Sequence, residues 1–463
     1  MAKLVAAKGV PVLRLADGAN HYRIGPGLEL TRASGDGIHY ALVGRRQDTA
    51  TKGINHVVID RDWIHGTPVD ETVRGVFTAG WTYAAIVDSY INDLHCVAAI
   101  GTCTDSQAIS GGVGDIPEGP LKIENNFLEA GAENILFGGG RGSIVPSDIT
   151  ISHNHLSKPL IWMPGQTGFV GGMNDDPRKC ARFNTPGLCP FIVKNLFEIK
   201  NAQRVLFEGN ILENSWPGFT QRGASIVLQV VSQGGSGNPS ATVADITIRY
   251  NRASHTASGI VIAAPSPGSA AMPKLEARIS IHDDEFDDIS PAYQNGVTHN
   301  VGVAFQLTRG PKSPPLHDIT IDHVTMLMQH PEHLMILGAP LNDPLVNFVF
   351  TNNVVSSPPD LAIIGIGPAA PCGSGGQTNV ERWENCTSHG IFAHNVLIGA
   401  SGAWPHKNFL DRSLNEVGFA IHNDGRGGDY HLATTSRHKL SASDGRDPGA
   451  DVDMVERATK GAE

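Results

Sequence analysis

One short phrase recurs along the chain, and it constrains the fold more than any other feature. Each copy alternates apolar and polar residues, reaches a small polar pair and continues with a further apolar residue, as in LKIENNFL at 121–128. This alternation is typical of a short strand that enters a turn. The other copies lie at 57–64, 85–91, 149–156, 205–212, 246–253, 279–286, 319–326, 348–355 and 390–397.

Many copies are followed by a second apolar run, such as ENILFGG at 133–139 and GIVIAA at 259–264, so each repeat holds at least two strands. The intervals between copies are unequal, as expected for stacked coils that keep their strands and vary their loops. A β-sandwich shows turn signals without a recurring phrase, and a propeller blade needs four strands. The pattern therefore favours a β-solenoid.

Composition agrees with an all-β protein. The chain has 463 residues, of which only 17% are charged, and it contains 53 Gly and 29 Pro, which favours short strands and turns. The formal net charge of -11 disfavours nucleic acid and anionic membranes as partners. No apolar stretch approaches the roughly 20 residues that span a bilayer.

The phrase resembles the I-x-I-x-x-N-x-[ILFV] repeat of right-handed parallel β-helix proteins of the pectate-lyase type, over roughly residues 50–400. The resemblance implies one all-β domain of roughly ten or more coils. Residues 1–50 would form the first coils and N-terminal cap, 51–400 the repeats, and 401–463 the terminal coil and C-terminal cap. The closing DGRDPGADVD at 444–453 is similar to the tail of bacterial secreted solenoids.

The asparagines of the phrase have a structural explanation. Stacked coils repeat about every 4.8 Å, so aligned asparagines can hydrogen-bond in a ladder, and asparagine also tolerates left-handed turns. The predicted ladder consists of Asn126, Asn154, Asn210, Asn251, Asn353 and Asn395.

The six cysteines fall into three local pairs: Cys96 with Cys103, Cys180 with Cys189, and Cys372 with Cys386. We expect three disulfides that close loops, and hence an exported protein whose leader is missing from this sequence. The alternative is six unrelated buried thiols. No Cys-x-x-Cys motif indicates a zinc site.

Alignment of the second strands places DSQAI at 105–109 beside ENILF at 133–137 and KNLFE at 194–198. Asp105, Glu133 and Lys194 then form one column on successive coils. Carboxylates about 4.8 Å apart suit a retaining glycosidase and equally suit a Ca²⁺ site. The structural alternative is an ordinary ionic column.

Two reactions could use this column. In a polysaccharide lyase, Asp105 and Glu133 would hold a cation that neutralises a uronate, and the base would be Lys194, Lys158, Arg178 or Arg182. In a glycoside hydrolase, one carboxyl group would be the acid and the other the nucleophile or base.

The insertion at 163–192 precedes Lys194 and is a candidate wall of the binding site, because long loops on a rigid scaffold often bind ligands. The residues that we expect to bind substrate are Gln107, Asn134, Asn195, Trp162, Asp175 and Asp176.

The sequence thus predicts a secreted carbohydrate-active enzyme that cleaves a polysaccharide, with β-elimination on a uronate polymer ahead of hydrolysis. The alternative is a non-catalytic glycan-binding or adhesive solenoid. No nucleotide or organic cofactor is indicated, since the glycine-rich stretches match no dinucleotide or P-loop pattern. Ca²⁺ is the candidate metal, and the oligomeric state is not indicated.

Overall fold

The structure is a computed structural model. It describes residues 1–7, 9–44, 51–97, 103–173, 188–218, 221–231, 233, 237–265, 272–293, 301–365, 371–373, 378–405 and 407–462.

The recurring phrase forms a long parallel sheet, named sheet I. Its alternate apolar residues point inward, so Ile149 and Ile151 are buried and lie in register with Val205 and Phe207 of the next coil. In the described part of the chain its strands stack in the order Asn20–Ile24, Ile54–Asp60, Ala84–Val87, Leu121–Glu124, Ser147–Ser152, Ala202–Glu208, Thr242–Arg249, Leu275–His282, Leu316–Asp322, Leu345–Thr351 and Thr387–Ser388, with Trp81–Thr82 and Ile391–Ala393 paired beside them.

The residues after the polar pair form sheet II, which is also parallel. Among the described residues its strands are Ala2–Ala6, Leu28–Arg32, Trp63–His65, Tyr90–Leu94, Phe127–Ala130, His155–Ser157, Ile211–Ser215, Arg252–Thr256, Glu285–Ile289, Thr325–Met328, Val354–Ser356, Val396–Ile398 and Phe409–Asp411.

The second apolar runs form sheet III, which completes each coil. Its described strands are Leu13–Arg14, Val43–Gly44, Arg74–Phe77, Gln107–Gly111, Glu133–Phe137, Phe197–Ile199, Ala224–Gln229, Ser258–Ala264, Val303–Arg309, His333–Gly338 and Ile363–Gly365. Residues 1–44 contribute a strand to every sheet. The predicted right-handed parallel β-helix of ten or more coils is confirmed.

The remaining described elements are short. Two antiparallel pairs join Gly172–Met173 to Leu188–Cys189 and Phe419–Ile421 to Asp429–Leu432. The 3-10 helices are Leu160–Trp162, Pro291–Tyr293, Pro371–Gly373 and Asn423–Gly425, and the α-helices are Asn379–Cys386, Leu414–Val417 and Val452–Thr459. None of these helices is long and apolar enough to cross a membrane.

The predicted asparagine ladder forms between sheets I and II. The Asn126 amide donates to Asn154 Oδ1 at 2.9 Å, and Asn154 donates to Asn210 Oδ1 at 3.0 Å. In the same way Asn210 donates to Asn251, Asn353 donates to Asn395, and Asn395 donates to Asn408. The preceding residue takes the left-handed turn conformation, with φ 56° at Asn125. The two neighbouring positions therefore have different roles, one in the turn and one in the ladder.

The C-terminal segment turns back along the side of the solenoid. The Tyr430 hydroxyl donates to Asp287 Oδ2 on sheet II at 2.7 Å, and the His153 ring lies 2.9 Å from the Lys460 carbonyl oxygen. Residues 401–463 were expected to form the terminal coil and end cap. Phe409–Asp411 supplies the last strand of sheet II, whereas the residues after it pack along a flank.

Two predicted disulfides are confirmed, Cys96–Cys103 and Cys372–Cys386. The pair Cys180–Cys189 lies outside the described residues, because Cys180 does.

Asp284 occupies a ladder position where other coils have asparagine. Its Oδ1 accepts from the backbone N–H and the side-chain amide of Asn251, both at 2.8 Å. Its Oδ2 has no hydrogen-bond partner within the described residues. Burial raises the pKa of Asp284 to about 7.

We expect Asp284→Asn to stabilise the protein at pH 8 and to change little near pH 4. The pKa of Asp284 is higher in the folded protein than its ordinary value of 3.8. Protonated Asp284 therefore stabilises the fold fully below pH 3.8, and this stabilisation is lost as the pH rises through 7. The amide keeps the ladder bonds without ionising, so the free energy of unfolding at pH 8 should rise by about 4 kcal/mol. Urea unfolding at both pH values measures the effect, with the exposed Asp360→Asn as control. An equal change at both pH values would contradict this account.

Candidate functional site

The predicted column lies on the outer face of sheet III, near the start of three neighbouring strands. Gln107 registers with Glu133, and Ile135 registers with Phe197 of the next coil. Ile135 and Phe197 are fully buried in the core. The polar residues just before them therefore lie side by side, although the chain makes a long insertion between the last two strands.

Lys194 brings the two predicted carboxylates together. Its ammonium group donates a hydrogen bond to Asp105 Oδ1 and lies 3.4 Å from Glu133 Oε1. Gln107 Nε2 donates to the other oxygen of Glu133 at 2.8 Å. The disulfide Cys96–Cys103 closes the segment that leads into Asp105. One ammonium thus lies between two carboxyl groups.

The cluster opens to solvent on one side. The Asp105 side chain is 31% exposed, that of Lys194 is 11% exposed, and Glu133 is fully buried. A ligand that approaches this face therefore reaches Asp105 first.

The surroundings separate the pKa values of the two carboxyl groups. Burial and the charge of Glu133 raise the pKa of Asp105 to about 6, although Lys194 opposes this. Burial alone would raise the pKa of Glu133, but Lys194 and Lys200 lower it to about 2. At mildly acidic pH, Asp105 holds a proton while Glu133 is ionised.

Lys194 is held in its charged form. Burial opposes the charge, but Glu133 and Asp105 raise the pKa of Lys194 above its ordinary value. A protonated ammonium cannot accept a proton, so the arrangement does not suit Lys194 to the role of a general base.

The cluster continues along the strand that follows Lys194. Lys200 Nζ lies 3.4 Å from Glu198 Oε1, and the Asn195 amide donates to Glu198 Oε2 at 3.1 Å. Burial raises the pKa of Glu198 to about 7, and Glu133 adds to this. Sequence reasoning missed Glu198 and Lys200. Their alternation with the buried Phe197 was the signal that could have found them.

Lys158 and Asn134 lie apart from this face. Lys158 Nζ is fully buried and donates to the carbonyl oxygens of Ala130 and Ala132 and to Asn134 Oδ1, at 2.8, 3.1 and 2.9 Å. Burial lowers its pKa to about 7, but its three donors are all bound. The Asn134 amide donates to the carbonyl oxygens of Leu128 and Ser157. Both side chains therefore brace the corner between sheets II and III.

Trp162 is 2% exposed and packs edge-to-face against His95 and Phe191. It has no free ring face for a sugar in this structure. The predicted site residues Asp175, Asp176, Arg178 and Arg182 lie outside the described residues.

The predicted calcium ligands Asp105 and Glu133 already share the Lys194 ammonium. Ca²⁺ takes six to eight oxygen ligands, and it would have to displace that ammonium. The described residues contain no group of three or more His, Cys, Asp or Glu side chains placed to hold a metal. The donor set as arranged does not fit Ca²⁺.

We expect Lys194→Met to lower the free energy of unfolding at pH 7 by about 3 kcal/mol, because it leaves the buried Glu133 and the partly exposed Asp105 without their cation. Lys122→Met is the matched control, since Lys122 is 50% exposed and pairs with Glu124 on the surface. Chemical denaturation of the three proteins measures the difference. Equal stability of the two variants would show that the cation is not needed there.

Comparisons with known proteins supply no argument for the fold or the chemistry. No family model matches the chain, and no curated protein matches it. One similar solved structure is a mutant of the PL6 family alginate lyase AlyGC, at 10% identity and a TM-score of 0.40, over 97% of this chain and 58% of that one. This likeness is too low to bear on activity. By its own sheets, the chain is a right-handed parallel β-helix repeat protein.

Proposed function

We propose that the protein cleaves a polysaccharide at the outer face of sheet III, with Asp105 as proton donor and Glu133 as its ionised partner. The observation that carries the proposal is the pair of carboxyl groups around one ammonium, with their pKa values moved in opposite directions. Such separation assigns acid and base roles in enzymes that break glycosidic bonds.

Hydrolysis fits this pair best. Asp105, protonated and partly exposed, would donate its proton to the glycosidic oxygen as the bond breaks. Glu133 would stabilise the positive charge that develops on the sugar, as the second carboxylate of a glycosidase does. A water molecule would then bond to that sugar carbon and give a proton back to Asp105. Attack by Glu133 itself requires the Lys194 side chain to swing aside, because Lys194 shields it from the exposed side.

β-Elimination on a uronate polymer is the second candidate, and one observation favours it. Lys194 and Lys200 already face carboxylates of the chain, whereas Arg74 forms no ion pair within the described residues. Its guanidinium could therefore neutralise a uronate carboxylate and so acidify the neighbouring C–H group. The base would then be ionised Asp105, since Lys194 is charged and Lys158 is enclosed.

The two disulfides support the proposal that the protein works outside the cell, because disulfides persist in oxidising compartments. A glycan-binding solenoid without activity remains the competing function, and the experiments below separate it from an enzyme.

We expect Asp105→Asn and Glu133→Gln each to lower kcat at least about 100-fold on a responsive polysaccharide. Reducing ends are assayed on a panel of neutral and acidic polymers, together with the ultraviolet absorbance of an unsaturated product. Hydrolysis gives reducing ends alone, and elimination gives both signals. Asp148→Asn, in an exposed pair with Arg204, is the control. Glycan binding without either signal in the parent protein would refute the enzymatic proposal.

The pH profile gives an independent test. If Asp105 is the general acid, kcat/KM should be constant below pH 6 and fall about tenfold per pH unit above it, because Asp105 loses its proton near pH 6. If ionised Asp105 is the base of an elimination, the rate should instead rise through pH 6. A profile that is flat between pH 4 and 8 would exclude Asp105 from both roles.

A further inference from the structure

Arg74 lies on the same face, one coil before Gln107, and its guanidinium group makes no ion pair with any carboxylate of the described residues. It registers with Gln107 and lies over the Phe77 ring, 4.8 Å from the centroid. Its Nε is buried without a hydrogen-bond partner. The nearby acids Asp105 and Glu133 are held by Lys194. Arg74 is half-buried, so part of its charge faces the opening.

Arg222 is a second guanidinium of this kind, at the other end of the cluster. It lies just before the sheet III strand Ala224–Gln229, in the coil after that of Lys194. Its guanidinium group donates a hydrogen bond to the uncharged Gln306. Burial alone lowers its pKa, so no acid of the described residues compensates its charge. Gln306 registers with Val261 on sheet III, between the buried Phe305 and Leu307, which places both side chains over the outer face.

Polar atoms without partners also lie between the two arginines. Gln107 Oε1 and Asn195 Oδ1 are buried acceptors that receive no hydrogen bond within the described part of the chain. A buried polar atom without a partner is costly, and such atoms commonly face a ligand or water. Both are acceptors, so they suit a ligand that donates hydrogen bonds, as sugar hydroxyl groups do.

We infer that the outer face of sheet III binds an acidic glycan lengthwise, with Arg74 and Arg222 each holding a carboxylate of the ligand on opposite sides of Asp105. The guanidinium fork matches a planar carboxylate in a bidentate pair. Four strand pairings separate the Arg74 strand from the strand that follows Arg222, roughly 19 Å at the spacing of parallel strands. Two further pairings lead to the strand of Gln306, which the Arg222 guanidinium contacts, so the two guanidinium groups lie between about 19 and about 29 Å apart, enough for several sugar units. The inference rests on the proposed polysaccharide function and names its substrate class.

The test is calorimetric binding in the Asp105→Asn background, which separates recognition from cleavage. The probes are oligogalacturonates and alginate oligomers, each compared with its own carboxyl-reduced form, which keeps the chain and removes the charge. We expect at least tenfold weaker binding of the reduced form. We also expect Arg74→Gln and Arg222→Gln each to weaken binding of the acidic form tenfold or more, and to leave binding of the reduced form unchanged.

Arg204→Gln, on sheet I and paired with Asp148, is the control and should bind as the parent does. If the positive charge of Arg74 is what binds the ligand carboxylate, Arg74→Lys should bind the acidic oligomer more tightly than Arg74→Gln does. The thermal midpoints of all variants show whether they fold. Equal binding of the acidic and reduced oligomers, no binding of any acidic oligomer, or full affinity in both glutamine variants would overturn the inference. Charge-dependent binding without any cleavage by the parent protein would refute the proposed enzyme and leave this inference standing.

Discussion

The ladder of buried side-chain amides fixes the register of the coils, and the geometry of the surface depends on that register. Each amide donates to the next and so fixes both the rise and the phase of successive turns. Residues at equivalent positions therefore form columns, whatever length of chain separates them. Lys194 meets Asp105 across 89 positions of sequence because loops between fixed strands leave the columns unchanged.

Much of this arrangement was predictable, because the recurring phrase contains both an alternating strand and a ladder asparagine. The alternation in ITIS at 149–152 gives the strand, and Asn154 gives the ladder rung, so sheet I and the turn could be predicted. Aligning the strand starts also brought Asp105, Glu133 and Lys194 together. The alignment could not give the direction of a side chain near a corner. Lys158 and Asn134 turn inward there and satisfy backbone carbonyl groups.

What the sequence could not supply was the environment of the charges. Glu198 and Lys200 looked like ordinary alternating surface residues, yet both are at least nine-tenths buried. Buried ion pairs contribute little to stability compared with well-packed apolar residues of the same size. Clusters with pKa values moved in opposite directions are more frequent at functional sites. This is the physical reason why the outer face of sheet III, rather than the longer surface of sheet I, is the better candidate for chemistry.

The return of the C-terminal segment along the flank affects the order in which the molecule can assemble. Each coil contacts mainly its neighbours, so stacking can proceed from the first coil as the chain is synthesised. The contact of Lys460 with His153, 307 positions earlier, must wait until Lys460 has been synthesised. The early coils therefore carry an uncovered strip while the intervening coils are made, and this later segment covers it.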